Sequence, residues 1–222
     1  MEFQVPRGTK DILPQEVHYW QEVEEKSRQI FSRYNYWEIR TPIFENIDLF
    51  QRSLGATTEI VQKQMFSFKQ GSDDFVLRPE GTASNARAYI EHALGFGQKL
   101  QKLYYIGPMF RAERPQKGRQ RQFHHIGAEA IGSSSPYLDI EVIELADSLL
   151  RAFGISNYTF IVNSLGCKDD KAKLSDLLKT SLAPHKKELC GDCQERLGRN
   201  VFRVLDCKND QCQKITDGIG LT

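Results

Sequence analysis

Five cations and one acid fall within residues 111–121: Arg111, Arg114, Lys117, Arg119 and Arg121 against Glu113. The chain as a whole is close to neutral, with 30 basic and 29 acidic residues, so this field is local. A concentrated positive patch suits a polyanion, of which phosphate is the commonest, and arginine favours two-pronged gripping of an oxyanion. Immediately downstream stand Phe123, His124, His125 and the carboxylate Glu129. On charge alone a solvated surface loop is the better description; the aromatic, imidazole and acid beside it are what point to a site.

A second cluster is Arg78-Pro79-Glu80-Gly81-Thr82-Ala83, where a turn passes into a helix start and exposes a carboxylate and a hydroxyl. Thr82 also suits the helix cap. A third is Cys190-Gly191-Asp192-Cys193, followed after thirteen residues by Cys207 and, five further on, Cys212. Two clustered pairs read either as a four-thiolate zinc site or as reduced thiols on a helical surface. The gap has room for a helical turn and a return strand, with bends at Gly191 and Gly198. Cys167 stands apart and reads as a small buried residue.

These groups need a scaffold. Residues 15–34 place Val17, Trp20, Val23, Ser27, Ile30, Phe31 and Tyr34 at helical spacing. Residues 36–41 alternate and stop at Pro42, as an edge strand does. Phe66 and Phe68, then residues 75–77, read as short strands about a turn at 71–74. Residues 82–94 read as a helix ended by Gly95, and 103–106 and 122–131 as strands flanking the basic loop. Residues 136–153 form the clearest helix, with Ile140, Ile143, Ala146, Leu150 and Phe153 on one face and Gly154 as its stop. A strand over 158–162 and a helix over 168–185 complete the pattern. Strands and helices mixed without a regular βαβ repeat indicate an α+β fold with a mainly antiparallel sheet flanked by helices.

At 222 residues the chain can bury one substantial core with a small appendage, and 40% hydrophobic against 27% charged residues describes a soluble globular protein. No apolar run reaches the length of a membrane span, and MEFQVPRGTKD has no apolar signal core, so a cytoplasmic protein is expected. Five cysteines in that compartment argue for thiols or metal ligands, not disulfides.

Phe110-Arg111-Ala112-Glu113, the basic loop and Arg121-Gln122-Phe123 together resemble the second signature motif of class II aminoacyl-tRNA synthetases. The segments RPEGTA over 78–83, QFHH over 122–125 and RGTKDILP over 7–14 are similar to the histidyl-tRNA synthetase family, and the likeness spans residues 3–215. It implies a histidine–tRNA ligase that uses ATP with Mg2+, forms histidyl-adenylate from L-histidine and charges tRNA(His), working as a homodimer. The dimer interface would be built from the first helix and the strand ending at Pro42, which carry Trp20, Ile30, Phe31, Tyr34 and Trp37. By resemblance Arg111 meets the α-phosphate and the substrate carboxylate, and Glu113 accepts from the adenine amino group from the same strand face. Phe123 stacks on adenine, and Arg119 meets the outer phosphates or the tRNA end. Glu80, Gly81 and Thr82 hold the α-amino group, and Glu129 meets the imidazole. His125 stands where the family has glutamine beside that ring, so as a substrate contact it competes with a core histidine.

The resemblance also implies a division into a catalytic core over 1–166 and a helical, cysteine-containing segment over 167–222. A third motif with a further ATP-gripping arginine belongs to the family, and nothing after Gly166 matches it. The chain therefore reads as truncated before that motif and is expected to activate histidine poorly alone. The rival from another class is the synthetase-like regulatory subunit of ATP phosphoribosyltransferase. A zinc-stabilised nucleic-acid module fits less well, because the basic charge is so local.

Overall fold

The computed structural model describes residues 3–55, 60–163 and 166–219; Met1-Glu2, which open the MEFQVPRGTKD segment, lie outside the described residues. Two compact units divide it, Met1–Tyr158 and Thr159–Thr222.

The first unit contains two three-stranded sheets. In one, β1 (Trp37–Glu38) runs parallel to β5 (Gln101–Phe110), which pairs antiparallel with β6 (Gln122–Ile131) over their full ten-residue length. In the other, β4 (Asp73–Leu77) lies between β2 (Phe44–Asn46) and β3 (Phe66–Gln70), all antiparallel. The expected mixture of helices and a mainly antiparallel sheet is present, with β1–β5 as its one parallel pair among the described residues. The strand expected over 36–41 is only two residues long; just past it the Ile39 amide still donates to the Tyr104 carbonyl of β5 at 2.9 Å, and residues 39–42 are irregular.

Helices α1 (Pro14–Arg33) and α4 (Pro136–Ala152) cover one face of the β5–β6 sheet. Phe31 is fully buried and stacks on Tyr104 with centroids 4.3 Å apart, and Ile30, Tyr36 and Leu145 close the cluster. The Tyr34 and Ser148 hydroxyls share a 2.9 Å hydrogen bond that ties the two helices. The face α4 buries is Leu145, Leu149 and Ala152, whereas Ile140 is exposed. Of the expected stripe, Ile143, Ala146, Leu150 and Phe153 are half-buried, so the helix carries two apolar stripes and both are partly covered. Helix α2 (Ile47–Leu54), unread in the sequence, starts where the Asn46 side chain accepts the Asp48 amide. It packs Phe50 against Val76 of β4 and Ala83 of α3 (Thr82–Glu91).

The second unit is helical: α5 (Lys168–Leu182), α6 (Gly191–Arg199), α7 (Phe202–Leu205) and α8 (Asp210–Gly218). Residues 158–163 are irregular, not the expected strand, and α5 ends at Leu182 because Pro184 cannot continue it. Gly191 and Gly198 lie in α6, so no glycine bend or return strand spans the cysteine gap; two short helices do. Cys167 is exposed and caps α5, its sulfur accepting the Asp170 amide while Asp170 accepts the Cys167 amide. Among the described residues no helix is long and apolar enough to cross a membrane.

Candidate active site

Side chains on a strand alternate between faces, and residues paired directly opposite each other share a face. On β6, His124, Ile126, Ala128 and Ala130 point to the helices: His124 packs on Trp20 at 4.6 Å, and the other three join the buried cluster with α1 and α4. Phe123, His125, Gly127 and Glu129 therefore line the opposite face, a row about 20 Å long at ~3.3 Å per residue. Their partners on β5 are Met109, Gly107, Tyr105 and Leu103. The two glycines make room for neighbouring side chains on this face. Gly127 faces Tyr105, whose ring fills the space that a Cβ on Gly127 or on Gly81 would need. Gly107 faces His125, and a Cβ there would come within 2.8 Å of the Arg78 guanidinium.

At the Glu129 end the site is acidic and desolvated. Thr82 donates its hydroxyl to Glu129 Oε1 at 2.7 Å. Burial holds the Glu129 carboxyl above the usual carboxylate range, and the Thr82 hydrogen bond opposes that rise. Tyr105 is buried, and desolvation together with the charges of Glu129 and Glu80 pushes its phenol up to about 12. Glu80 is the cap of α3: its two oxygens accept the Thr82 amide at 2.7 Å and the Ala83 amide at 2.9 Å. The hydroxyl of Thr82 is thus free of capping and bonds across to β6. Each carboxylate oxygen retains a second lone-pair direction, so capping leaves Glu80 able to accept once more.

At the Phe123 end the site is cationic. The Arg111 guanidinium lies over the Phe123 ring at 5.2 Å, and its Nε donates to the Pro79 carbonyl at 3.0 Å. Strand β5 ends at Phe110, so Arg111 and Glu113 lie in the connection and the same-face argument for them fails. Glu113 instead pairs with Arg119 at 3.3 Å across the loop. The loop is pinned at its base, where the Arg111 amide donates to the Arg121 carbonyl at 2.9 Å and the Ala112 amide to the Gln64 carbonyl at 2.7 Å. Gly8 completes the anchorage: its carbonyl accepts the Arg121 amide at 2.7 Å and the Gln122 amide at 3.3 Å.

His125 sits between these ends. Burial, then the charge of Arg111, holds its imidazole below the usual histidine value, so the ring is neutral near pH 7. Its Nδ1 is buried with no protein partner. Two residues went unread in the sequence, Tyr105 and Arg78. Tyr105 looks like one aromatic in an apolar strand until Gly81 and Gly127 are seen to vacate the space for its ring. Arg78 belongs to the quoted RPEGTA segment. Its guanidinium is buried and donates to the carbonyls of Pro108 at 3.0 Å and Thr41 at 2.8 Å, so it braces the site's floor.

The family model described as histidyl-tRNA synthetase matches residues 8–181. The chain belongs to the histidyl-tRNA synthetase family. Among curated relatives, the histidine–tRNA ligase of Halothermothrix orenii is 51% identical over 217 residues, 97% of this chain and 52% of that protein. The histidine–tRNA ligase of Solibacter usitatus is 50% identical over 214 residues, 96% of this chain and 52% of that one. Among solved structures, apo histidyl-tRNA synthetase of S. aureus superposes with a TM-score of 0.71 at 36% identity, over 99% of this chain and 56% of that one. A Bacillus halodurans protein named ATP phosphoribosyltransferase regulatory subunit/histidyl-tRNA synthetase has a TM-score of 0.64 at 21% identity, over 97% of this chain and 62% of that one, and speaks to the fold alone. This member of the family spans about half the length of the curated relatives it matches.

In the second unit, the four sulfurs of Cys190, Cys193, Cys207 and Cys212 lie within 4.8 Å of one another, and all four residues are free thiols. Cys190 Sγ and Cys207 Sγ are 3.8 Å apart. A tetrahedron of ~2.3 Å zinc–sulfur bonds has edges of ~3.8 Å, so this cluster is already close to the size that holds a metal ion. Thiols scattered on a helical surface do not describe it, since Cys193, Cys207 and Cys212 are buried.

Proposed function

We propose that the chain is the adenylate-forming part of a histidine–tRNA ligase. The observation that carries this reading is the one-sided row on β6: an aromatic with a guanidinium on it at one end, a desolvated carboxylate at the other, and a neutral imidazole between. Such a row has one end for a nucleotide and one for a cationic amino acid. L-Histidine lies with its α-amino group toward Glu80, Gly81 and Thr82, its imidazole between Glu129 and His125, and its carboxylate toward Arg111. One carboxylate oxygen attacks the α-phosphorus of ATP, the bond to the bridging oxygen breaks, and pyrophosphate leaves. Arg111 offsets the charge that grows on the α-phosphate oxygens. Phe123 carries the adenine, Glu113 accepts from its amino group, and Arg119 meets the outer phosphates. In the second step a terminal hydroxyl of tRNA(His) attacks the activated carbonyl and AMP departs. Mg2+ accompanies ATP and screens its phosphates. A regulatory subunit that only senses histidine has no need of the Arg111–Phe123 end.

The same reading makes the protein a cytoplasmic homodimer. Ile30 and Phe31 are consumed by the chain's own core, which leaves Trp37, 68% exposed, together with the exposed Phe44 and Phe68 as the apolar surface for a partner copy. The four-cysteine cluster is a structural zinc site of the second unit, outside the reaction.

The test is histidine-dependent ATP–pyrophosphate exchange in protein of the relatives' full length. Arg111→Lys keeps the charge but loses the fork, and the exchange rate falls at least tenfold, about 1.4 kcal/mol. A rate within about twofold of wild type, ~0.4 kcal/mol, removes Arg111 from the reacting phosphate.

A further inference from the structure

The four-thiolate cluster raises a problem of charge. Four thiolates around a divalent ion carry two net negative charges, and three of these cysteines are buried, where an uncompensated charge is costly. Something in the second unit must answer it. Backbone dipoles supply part of the answer: the Cys190 amide donates to Cys212 Sγ at 3.3 Å, and the Cys193 amide donates to the Cys190 sulfur. A further contribution comes from a full cation. Arg196 stands three residues after Cys193 on α6, the spacing that puts two side chains on the same helix face. Its Nη1 donates to Cys193 Sγ at 3.9 Å and to the Arg203 carbonyl of α7 at 3.3 Å.

We propose that Arg196 is the charge partner of the metal centre: a positioning residue that holds the Cys193 thiolate toward the ion and neutralises part of the tetrathiolate charge. This rests on the zinc reading above. The bridge also links the two cysteine pairs. Cys193 belongs to the first, and the carbonyl of Arg203 stands four residues before Cys207 of the second. One side chain therefore ties α6 to α7 across the thirteen-residue gap, and it does so through the only nitrogen, Nη1, that touches the sulfur in the described residues. Lys208, Asp206, Asp210 and Asp192 also flank the ligands in sequence, but no hydrogen bond from any of them reaches a sulfur among those described.

The experiment uses the whole 222-residue chain loaded with zinc. Zinc transfer to the chromogenic chelator 4-(2-pyridylazo)resorcinol gives the affinity and the release rate, and far-ultraviolet circular dichroism at saturating zinc shows whether each variant is folded. Arg196→Ala is expected to weaken zinc binding about 10–100-fold, the usual effect of removing a group that supports a metal ligand. Arg196→Lys, which keeps a cation, recovers most of the loss; Arg196→Gln, which keeps only a neutral donor, does not. That ordering separates charge compensation from simple packing, which Gln would serve as well as Lys. Cobalt(II) in place of zinc gives a second readout: the visible bands of a tetrahedral thiolate site shift in Arg196→Ala and return in Arg196→Lys. Wild-type chain that holds zinc while Arg196→Ala binds it within about twofold as tightly overturns the role of Arg196. Equal recovery by Lys and Gln overturns the charge argument. Wild-type chain that binds no zinc overturns the metal reading itself, and the assay tells these results apart.

Discussion

Glu129 shows what a desolvated carboxylate costs the fold that carries it. Its charge is half-desolvated and no cation pairs with it among the described residues; the hydroxyls of Thr82 and Tyr105 donate to it. A folded-state value raised above that of the unfolded chain means the ionised group destabilises the empty protein as pH rises past the ordinary carboxylate range. Glu129→Gln keeps an oxygen to accept from Thr82 and removes the charge. The thermal midpoint of the unliganded chain should therefore rise at pH near 7, while histidine binding weakens by the ~1.5–3 kcal/mol typical of a lost charge-assisted hydrogen bond. Scanning calorimetry and histidine titration of the same variant check both halves. A lower midpoint would show that Glu129 is structural. Residue identity was largely legible in the sequence here, since Phe123, His125 and Glu129 share parity on one strand. Glu80 was named there too, but its capping role was not: Thr82 was the expected cap, and the structure shows the Glu80 carboxylate turned back on the helix start.

At the scale of elements, β6 presents one histidine to each of its faces, and both are held below the ordinary value chiefly by burial. The unfolded chain takes up these protons near pH 6.5, and the folded chain only at lower pH, so stability is complete above that value and declines as pH falls through the interval beneath it. Unfolding midpoints in denaturant should fall between pH of about 7.5 and about 5.5, and the fall should shrink in His125→Gln. An unchanged pH slope in that variant would place the proton uptake elsewhere. The same strand offers a steric test. Gly127→Ala drives a methyl into the Tyr105 ring, and overpacking of this kind costs roughly 1–3 kcal/mol. Urea unfolding that shows no loss would mean that Tyr105 swings clear. The two strands flanking the basic loop were readable from the sequence, β6 with its bounds and β5 as 103–106, short of its full Gln101–Phe110. The strand expected at 158–162 alternates, yet forms no strand, because alternation marks a face to be covered and cannot name the neighbour that supplies a ladder. The expected face of α4 was incomplete for the same reason: Ile143, Ala146, Leu150 and Phe153 are half-buried, but the contact with Phe31 and Tyr104 is made by Leu145, Leu149 and Ala152.

At the scale of the molecule, the two units depend on different forces. The first has layered cores around Phe31 and Phe50. The second, Thr159–Thr222, draws its buried core from eight residues, of which Cys193, Cys207 and Cys212 are three. Units under about 80 residues commonly need a metal or a disulfide to fold. Removing zinc with a chelator should therefore unfold the second unit, seen as loss of helical signal, and leave the transition of the first in place. A single unaltered transition would show that the helices of the second unit stand without metal. The cysteine spacing disclosed this site, but its supports were hidden, because α6 and α7 bring the sulfurs together where glycine turns were expected. A dimer in solution should double the mass seen by light scattering, and Phe44→Asp should return it to the monomer value. Finally, the carbonyl of Gly8 receives the amides of Arg121 and Gln122 from more than a hundred residues along the chain, with φ of 90° at a position where a Cβ would strike Arg121. The segment around Gly8 is thus a clasp on the basic loop. Shortening the chain past Gly8 would leave β5 and β6 paired but release those two amides to exchange with deuterium, a change in loop motion with little change in melting.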